Sequence, residues 1–367
     1  MPAQGTSSSN PRNYFSEPDC YAKVLDSLSR NDLRSAIITG FGLSSHDDYV
    51  YRAIASVTLS QVQGAVEAGT ENGLCDWYPA VDGSSLEHPP SADIAAYTSM
   101  FSSTTTNPVN SLKSFKANAK KESLRSSIAD QILAKRYYSD SLPSIPKPSK
   151  AMIKTPLFNP YLDFWMWSCH ALHWAGPGPN TDKIQMSHAV LPIFMHHFGC
   201  VVPSREALDL IKIISLDGSK QASTIIDLGS GNGYWTYMLR AMELPVVAVD
   251  NQQSVFRCNW IDDTIIKDGV AFLNGRQGAP TDVLLLVYPV IAADFFQSML
   301  DTYKGTRLAV VGTQCRNGYT AFRHILVDEW IASKRKEWTL KARIPLPSFP
   351  GKDEAIYYFQ RPDLAPS

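Results

Sequence analysis

A glycine-rich turn between two regular elements limits the folds open to this chain. The stretch STIIDLGSGNGYWTYMLRAM at 223–242 starts with a β-branched run, continues with three glycines at alternate positions and ends in an amphipathic pattern. This order predicts a strand, a glycine turn and a helix. Glycines at alternate positions let a ligand approach the backbone, and the N-terminus of the following helix offers free N–H groups to a carboxylate or phosphate.

The residues after this turn predict a parallel α/β sheet. VVAVD at 246–250 predicts a second buried strand ending in Asp250, about twenty residues beyond the first glycine, where an acidic group commonly receives ribose hydroxyls. Third, fourth and fifth strands are predicted in TIIKDGVAFL at 264–273, DVLLLVYPV at 282–290 and RLAVVGT at 307–313. Short apolar runs that alternate with helical patterns are typical of a parallel sheet flanked by helices.

Two classes of cofactor suit a strand, glycine turn and helix. A dinucleotide site requires G-x-G-x-x-G or A, and counting from Gly229 puts Tyr234 in the third place, which weakens a nicotinamide interpretation. The observed D-x-G-x-G-x-G from Asp227 to Gly233 instead resembles the first motif of the class I S-adenosylmethionine-dependent methyltransferases. This resemblance covers 222–361, a little over a third of the chain.

The resemblance implies a seven-stranded, mostly parallel sheet flanked by helices, to which we add a helical N-terminal extension. WTLKARIPL at 338–346 would be the sixth strand and EAIYYFQR at 354–361 the antiparallel seventh. In this family the glycine turn surrounds the methionine part of S-adenosylmethionine, an acid ending strand two binds the ribose, and an acid after strand three meets the adenine amino group. The cofactor-binding residues predicted on this basis, with two neighbouring asparagines, are Asp227, Gly229, Gly231, Asn232, Gly233, Asp250, Asn251 and Asp268.

Three of these assignments have an alternative in the sequence itself. Asp268 stands directly before a helix-compatible run, where a carboxylate also serves as a helix cap. Asn232 and Asn251 lie in turns, and asparagine is a common turn residue.

Composition along the chain predicts five regions. The Ser-, Asn- and Pro-rich residues 1–17 are expected to be a disordered tail, and 18–140 to be helical and rich in loops. SLPSIPKPSK at 141–150 predicts a linker. An aromatic, helical segment at 151–221 would then cover the site of an S-adenosylmethionine-binding domain at 222–361. Core packing is the alternative role for most aromatics of that segment.

The fourth predicted strand supplies a candidate catalytic residue. Family members that methylate amino groups end this strand in D/N-P-P-aromatic, whereas here the positions read Val287, Tyr288, Pro289 and Val290. The acid or amide and one proline are missing, so the amino-methylating role does not carry over. Tyr288 is predicted at the strand tip, where it would orient or deprotonate an acceptor, or pack against the cofactor.

Histidines are concentrated before the glycine turn, at His170, His173, His188, His196 and His197. One of them is a possible general base, and core or surface packing is the alternative for each. His196, His197 and Cys200 resemble part of a metal site, but no fourth ligand with suitable spacing accompanies them, so no metal is predicted.

The charge and cysteine content of the chain help to predict its acceptor and its cellular compartment. Lys and Arg total 34 and Asp and Glu 35, a net charge of −1 that gives no general attraction to phosphate backbones. We therefore expect a small-molecule acceptor. One alternative is an RNA or protein acceptor, which the basic stretch at 113–136 supports. Another is a catalytically silent scaffold that binds S-adenosylmethionine. Six cysteines without a C-x-x-C pair, and no signal or membrane-spanning segment, predict a cytoplasmic protein.

Overall fold

The structure is a computed structural model that describes residues 15, 17–45, 49–52, 56–69, 75–79, 87–102, 107–184, 186–251, 258–289, 293–316, 320, 322 and 324–362. The predicted disordered tail lies outside these residues except for Phe15 and Glu17. Phe15 is only 2% exposed and its ring lies 5.2 Å from that of Phe41.

The region before the predicted linker holds short helices, a hairpin and one further strand. Its elements are α1 (Pro18–Ser29), α2 (Leu33–Phe41), β1 (Val50–Arg52), β2 (Ser56–Thr58), α3 (Leu59–Ala68), α4 (Ser91–Ser99), α5 (Pro108–Ala117), α6 (Leu124–Lys135) and β3 (Tyr137–Tyr138). Local capping starts several of these helices. Thr58 and Gln61 form a capping box at α3, and the Ser123 hydroxyl accepts from the Ser126 N–H at α6.

The basic stretch at 113–136 spans α5 and α6 and is largely neutralised within the protein. Five of its basic side chains form ion pairs: Lys121 with Glu122, Lys116 with Asp130, Arg125 with Asp93, Lys135 with Asp353 and Arg136 with Glu206. The last two pairs connect α6 with the second half of the chain. These pairs hold α6 against the rest of the molecule and reduce the charge available to a polyanion.

The aromatic segment and the sheet follow the linker. The helices are α7 (Lys150–Lys154), α8 (Pro160–Ala171), α9 (Leu191–His197), α10 (Arg205–Leu216), α11 (Tyr234–Arg240), α12 (Gly269–Gly275), α13 (Ala293–Thr302) and α14 (Val327–Lys334). The strands are β4 (Ile225–Leu228), β5 (Val246–Asp250), β6 (Ile265–Ile266), β7 (Val283–Val287), β8 (Arg307–Thr313), β9 (Thr339–Pro345) and β10 (Glu354–Gln360). No helix among the described residues combines the length and the apolar character needed to cross a bilayer.

The large sheet has the order β3-β9-β10-β8-β7-β4-β5-β6. Strands β4 to β8 run parallel, and β10 is antiparallel to both β8 and β9. The predicted α/β class and the antiparallel last strand are confirmed. The carboxyl ends of β4, β5 and β7 meet at one edge, where ligands of open α/β sheets bind.

The sheet differs from the prediction in two respects. Among the described residues it contains eight strands rather than seven, because β3 pairs with β9 through Tyr137 opposite Arg343 and Tyr138 opposite Ala342. Without β3 the backbone of β9 would be an open edge, and β3 covers part of it. The third predicted strand, 264–273, is a strand only at Ile265–Ile266 and turns into α12 at Gly269.

One apolar core joins the first half of the chain to one face of the sheet. Its members range from Phe15 to Tyr358 in β10 and include most aromatics of the 151–221 segment. Trp165 and Trp174 are fully buried, and both indole N–H groups donate to the Ser348 carbonyl, at 3.1 and 2.8 Å. The other face packs against α12, α13 and α14.

Candidate functional site

The glycine turn after β4 has the backbone conformation that its sequence indicates. Gly229, Gly231 and Gly233 have φ angles of 79°, 58° and 74°, in the left-handed region that side chains disfavour. The Gly229 N–H donates to the Val249 carbonyl at 2.8 Å, and the Gly233 N–H donates to the Ser230 carbonyl at 2.9 Å. The turn is therefore fixed to β5 and leads directly into α11.

Two of these glycines serve different purposes. A Cβ on Gly233 would lie 2.4 Å from Cγ1 of Ile261, so this position must stay small for the following segment to pack. A Cβ on Gly229 would meet no atom within 4 Å among the described residues, and Gly229 is exposed. The backbone at Gly229 is thus open to a ligand.

Asp227 lies at the end of β4, beneath the turn. Its side chain is fully buried, and Oδ2 accepts a 2.6 Å hydrogen bond from the Thr236 hydroxyl in α11. Burial raises the pKa of this carboxyl to about 6; the Thr236 hydrogen bond opposes the rise and the nearby Asp250 adds to it. A buried carboxylate of this kind favours a cationic ligand group.

Three buried polar atoms at the turn have no hydrogen-bond partner among the described residues. They are Oδ1 of Asp227, Oγ of Ser230 and Nδ2 of Asn232. Leaving a buried polar group unpaired costs about 1–3 kcal/mol, so native proteins rarely keep three within six residues unless something else satisfies them. Together they offer an acceptor, a hydroxyl and a donor to a ligand that carries both charges.

The predicted strand-end residues occupy the neighbouring positions at this edge. Oδ2 of Asp250 accepts from the Gly231 N–H at 2.8 Å, so Asp250 ties the turn to β5. Asn251 follows it and is exposed. Asp268 is exposed, and its Oδ1 caps α12 by accepting from the Ala271 N–H at 2.9 Å, which is the alternative that the sequence left open. Its role toward adenine stays a prediction.

Residues of the 151–221 segment contact the glycine turn. Trp260 donates its backbone N–H to the Asn232 carbonyl at 2.8 Å and its indole N–H to the His197 carbonyl at 2.6 Å. The Tyr161 hydroxyl donates to the Gly199 carbonyl at 2.8 Å, and a Cβ on Gly199 would lie 3.4 Å from Asn232 Oδ1. The end of α9 therefore packs beside the turn.

His196 and His197 of α9 lie close to Cys258, and not to Cys200 as their sequence positions suggest. His196, His197 and Cys258 place potential ligand atoms within 4.8 Å of one another, whereas Cys200 is not part of the group. His197 Nδ1 lies 3.2 Å from the Cys258 sulfur and Nε2 lies 3.0 Å from the Tyr51 hydroxyl. Burial lowers the pKa of His197 well below its ordinary value, so the ring is neutral. These two contacts give His197 a structural role, and the absence of a metal stays a prediction.

Tyr288, the candidate catalytic residue, follows β7 with a left-handed φ of 51°, which is unusual for a bulky residue. Its N–H donates to the Val311 carbonyl at 2.8 Å. The Lys352 ammonium lies 3.4 Å from its hydroxyl and 5.2 Å from its ring centroid. Strain at such a position is found most often at functional sites.

Sequence reasoning missed the charged residues before β10. Lys352, Asp353 and Glu354 are 3%, 1% and 0% exposed, and the Lys352 ammonium contacts Tyr288. The signal was present in PGKDEAIYYF at 350–359, where three consecutive charged residues precede a strongly apolar strand. Consecutive charged residues usually lie in solvent, so the burial of these three became evident only in the fold.

A well-formed cavity in the described part of the chain lies away from the glycine turn. It measures about 590 Å³ and lies between α5, the linker and the start of α10. None of the predicted site residues lines it. The ion pairs of Arg136 with Glu206 and of Arg205 with Asp209 lie in its wall.

Comparisons with known proteins give matches in structure only. No protein-family model matches the sequence, and no curated protein matches it. Similar solved structures include a magnesium protoporphyrin IX methyltransferase from Synechocystis PCC 6803 with bound S-adenosylmethionine, at 12% identity and a TM-score of 0.32 over 43% of this chain and 79% of that one. A putative RNA methyltransferase from Pyrococcus horikoshii has 14% identity and a TM-score of 0.30 over 46% and 87%.

A glycopeptide N-methyltransferase complexed with S-adenosylmethionine is also similar, at 12% identity and a TM-score of 0.28 over 42% of this chain and 94% of that one. The parallel strands and the antiparallel last strand, rather than these alignments, carry the assignment of the fold. This sheet agrees with the fold that the resemblance to the class I methyltransferases implies.

Proposed function

We propose that this protein is an S-adenosylmethionine-dependent methyltransferase whose residues 222–361 bind the cofactor and whose 151–221 segment covers it. The group of unpartnered polar atoms at the open glycine turn is the observation that carries this proposal. S-Adenosylmethionine ends in an ammonium and a carboxylate, which would satisfy Asp227 Oδ1 on one side and the Ser230 hydroxyl and Asn232 amide on the other. Asp250 is the candidate partner of the ribose.

In this proposal the cofactor supplies the methyl group as an electrophile, and the chain aligns and deprotonates the acceptor. Gly229 and Gly231 admit the methionine part close to the backbone. Asp227 stays ionised beside the bound ammonium, which offsets the cost of its burial. Tyr288, at the tip of the neighbouring strand, faces the acceptor side.

We propose a small molecule as the acceptor. Most basic side chains of the stretch that supported an RNA acceptor form ion pairs within the protein, among them Lys135 with Asp353 and Arg136 with Glu206. The salt dependence of binding separates the two acceptors, because an RNA complex weakens steeply as salt rises. A catalytically silent cofactor-binding scaffold is the alternative from another functional class.

Calorimetric titration of the purified protein with S-adenosylmethionine, S-adenosylhomocysteine and NADH tests the cofactor. We expect micromolar binding of the first two and none of the third. Binding of NADH alone would favour an oxidoreductase. Binding of none of them would contradict the proposed function.

Two glycine variants distinguish the loss of a ligand contact from the effect of backbone strain. Gly229→Ala is expected to weaken S-adenosylmethionine binding at least tenfold, about 1.4 kcal/mol, because the new methyl group enters the space that the ligand requires. Gly218→Ala is the matched control, since Gly218 has a φ of 77°, no atom within 4 Å of its Cβ position, and no place in the site. Both variants should lose about 1 kcal/mol of stability in urea unfolding. Equal affinities in the two variants would remove Gly229 from the site.

A further inference from the structure

A cluster of buried polar side chains lies at the sheet edge that carries the proposed cofactor site. It consists of His188, Tyr288, Lys352 and Glu354, which are 2%, 7%, 3% and 0% exposed. We call it the acceptor cluster. The His188 ring stacks on Phe349, with centroids 4.8 Å apart. The Lys352 ammonium contacts the Tyr288 hydroxyl at 3.4 Å.

Strand pairing places this cluster at the same sheet edge as the glycine turn. β7 lies directly beside β4, with Leu285 opposite Asp227, and Tyr288 is three residues further toward the carboxyl end. On the other side of β7, the Tyr288 N–H reaches β8, and Glu354 on β10 is opposite Thr313 of β8. The cluster therefore extends along the carboxyl edge of the parallel strands, from Tyr288 on the strand beside β4 to Glu354 on β10.

Hydrogen bonding distinguishes the cluster from the structural charges around it. Asp353 accepts from the Lys135 ammonium at 2.6 Å and from the Gln314 amide at 2.8 Å, so its burial is compensated. Within the described part of the chain, neither carboxyl oxygen of Glu354 nor either ring nitrogen of His188 makes a hydrogen bond of normal geometry, although polar groups of Ser348 and Phe349 lie near the Glu354 carboxyl. Burying four such polar atoms costs the fold free energy, which indicates that a polar ligand supplies the missing hydrogen bonds.

We propose that the acceptor cluster binds a hydroxyl-bearing small molecule and that Glu354 is the general base that removes its proton during O-methylation. The proposal rests on the methyltransferase function proposed above. The acceptor oxygen forms a bond to the methyl carbon, the bond from that carbon to sulfur breaks, and its electron pair stays on the sulfur. The hydroxyl proton moves to the Glu354 carboxylate, which returns it to solvent after product release. The products are a methyl ether and S-adenosylhomocysteine.

The charge of Lys352 selects a hydroxyl over an amine. An oxygen that loses its proton becomes negative, and the buried ammonium stabilises it. An amine that attacks a methyl group becomes positive, and the same ammonium repels it. Val287 and Tyr288 replace the acid or amide and the first proline of the amino-methylating motif, which agrees with this selection.

The protonation of Glu354 suits this task near neutral pH. Burial raises the pKa of its carboxyl to about 7, while Lys352 and the polar groups of Ser348 and Phe349 oppose the rise and Asp353 adds to it. A base with a pKa close to the working pH combines a useful ionised fraction with basicity. The remaining titratable groups that act on it electrostatically are Tyr97 of α4 and Tyr161 of α8, together with Cys315 after β8.

Glu354→Gln tests the proposal. Glu329→Gln is the matched control, because it removes the same charge at a surface carboxylate that pairs with Arg316. Methyl-labelled S-adenosylmethionine is incubated with each protein and with the low-molecular-mass, RNA and protein fractions of an extract from the source organism. We expect label on oxygen in the small-molecule fraction, a rate at least 100-fold lower for Glu354→Gln, and a wild-type rate for Glu329→Gln. Lys352→Met should also lower the rate at least tenfold.

Further readouts separate a catalytic from a structural effect. Glu354→Gln should bind S-adenosylhomocysteine with wild-type affinity, and its residual rate should lose the pH dependence near 7. A wild-type rate or unchanged pH profile in this variant, or label on nitrogen, carbon, RNA or protein, would overturn the proposal while the methyltransferase function stands. Label on nothing also overturns it and favours the scaffold. Failure of S-adenosylhomocysteine to bind the wild-type protein removes both proposals.

Discussion

Asp227→Asn is expected to weaken S-adenosylmethionine binding at least 100-fold, about 2.8 kcal/mol, while it stabilises the free protein above pH 6. Asparagine still accepts the hydrogen bond from Thr236, so the contact between β4 and α11 is kept. The change removes the negative charge that the proposed ammonium requires. It also removes a buried charge that the free protein holds without a second partner among the described residues.

The sign of the stability change follows from the pKa. Because burial raises the folded-state pKa of Asp227 to about 6, above its unfolded value, ionisation costs the folded state free energy. The penalty, up to about 3 kcal/mol, is fully present well above pH 6 and disappears as the pH falls through 6 toward 4. The stability difference between Asp227→Asn and wild type should therefore be largest at pH 8 and small at pH 4.

Asp163→Asn provides the matched control for this prediction. Burial also raises the pKa of Asp163 to about 6, and its carboxylate accepts from the Tyr21 hydroxyl, which is not a residue of the glycine turn. Urea unfolding at several pH values should show a similar pH-dependent gain for both variants. Calorimetry should show a loss of S-adenosylmethionine affinity for Asp227→Asn alone. Equal affinities would mean that Asp227 only holds β4 to α11.

Arg307→Met is expected to destabilise the protein by about 3–5 kcal/mol. Arg307, at the start of β8, is 6% exposed, and its guanidinium donates to the Ile214 and Thr281 carbonyls and to the Ser223 hydroxyl. Methionine fills the space of the stem but leaves these three acceptors unpaired in the interior. The end of α10 would then lose its connection to the sheet.

Arg335→Met is the control, because Arg335 pairs with Asp301, whose side chain is 52% exposed. An ion pair to such a partner contributes at most about 1 kcal/mol. Urea unfolding of both variants measures the difference, and cofactor affinity should be unchanged in both, since neither arginine lies at the glycine turn. A loss below 1 kcal/mol for Arg307→Met would show that its buried acceptors find other donors.

Local patterns were sufficient for the parallel sheet and for the glycine turn. The runs at 225–228, 246–250, 283–287 and 307–313 are continuous apolar segments, and each forms a strand at the predicted place. The left-handed angles at Gly229, Gly231 and Gly233 follow from residues that lie next to one another in the chain. The assignment of the antiparallel strand at 354–360 required the family resemblance, since an apolar run carries no information about its direction.

By itself the sequence determined that the carboxyl ends of β4, β5 and β7 carry a glycine turn, two acids and Tyr288, because strand alternation and turn chemistry act over a few residues. The tertiary structure decided that Asp268 caps α12, that β3 covers part of the edge of β9, and that the His188 ring stacks on Phe349 close to Lys352. These arrangements join segments that are distant in the chain. Their burial and charge depend on the whole packed core, which no local pattern records.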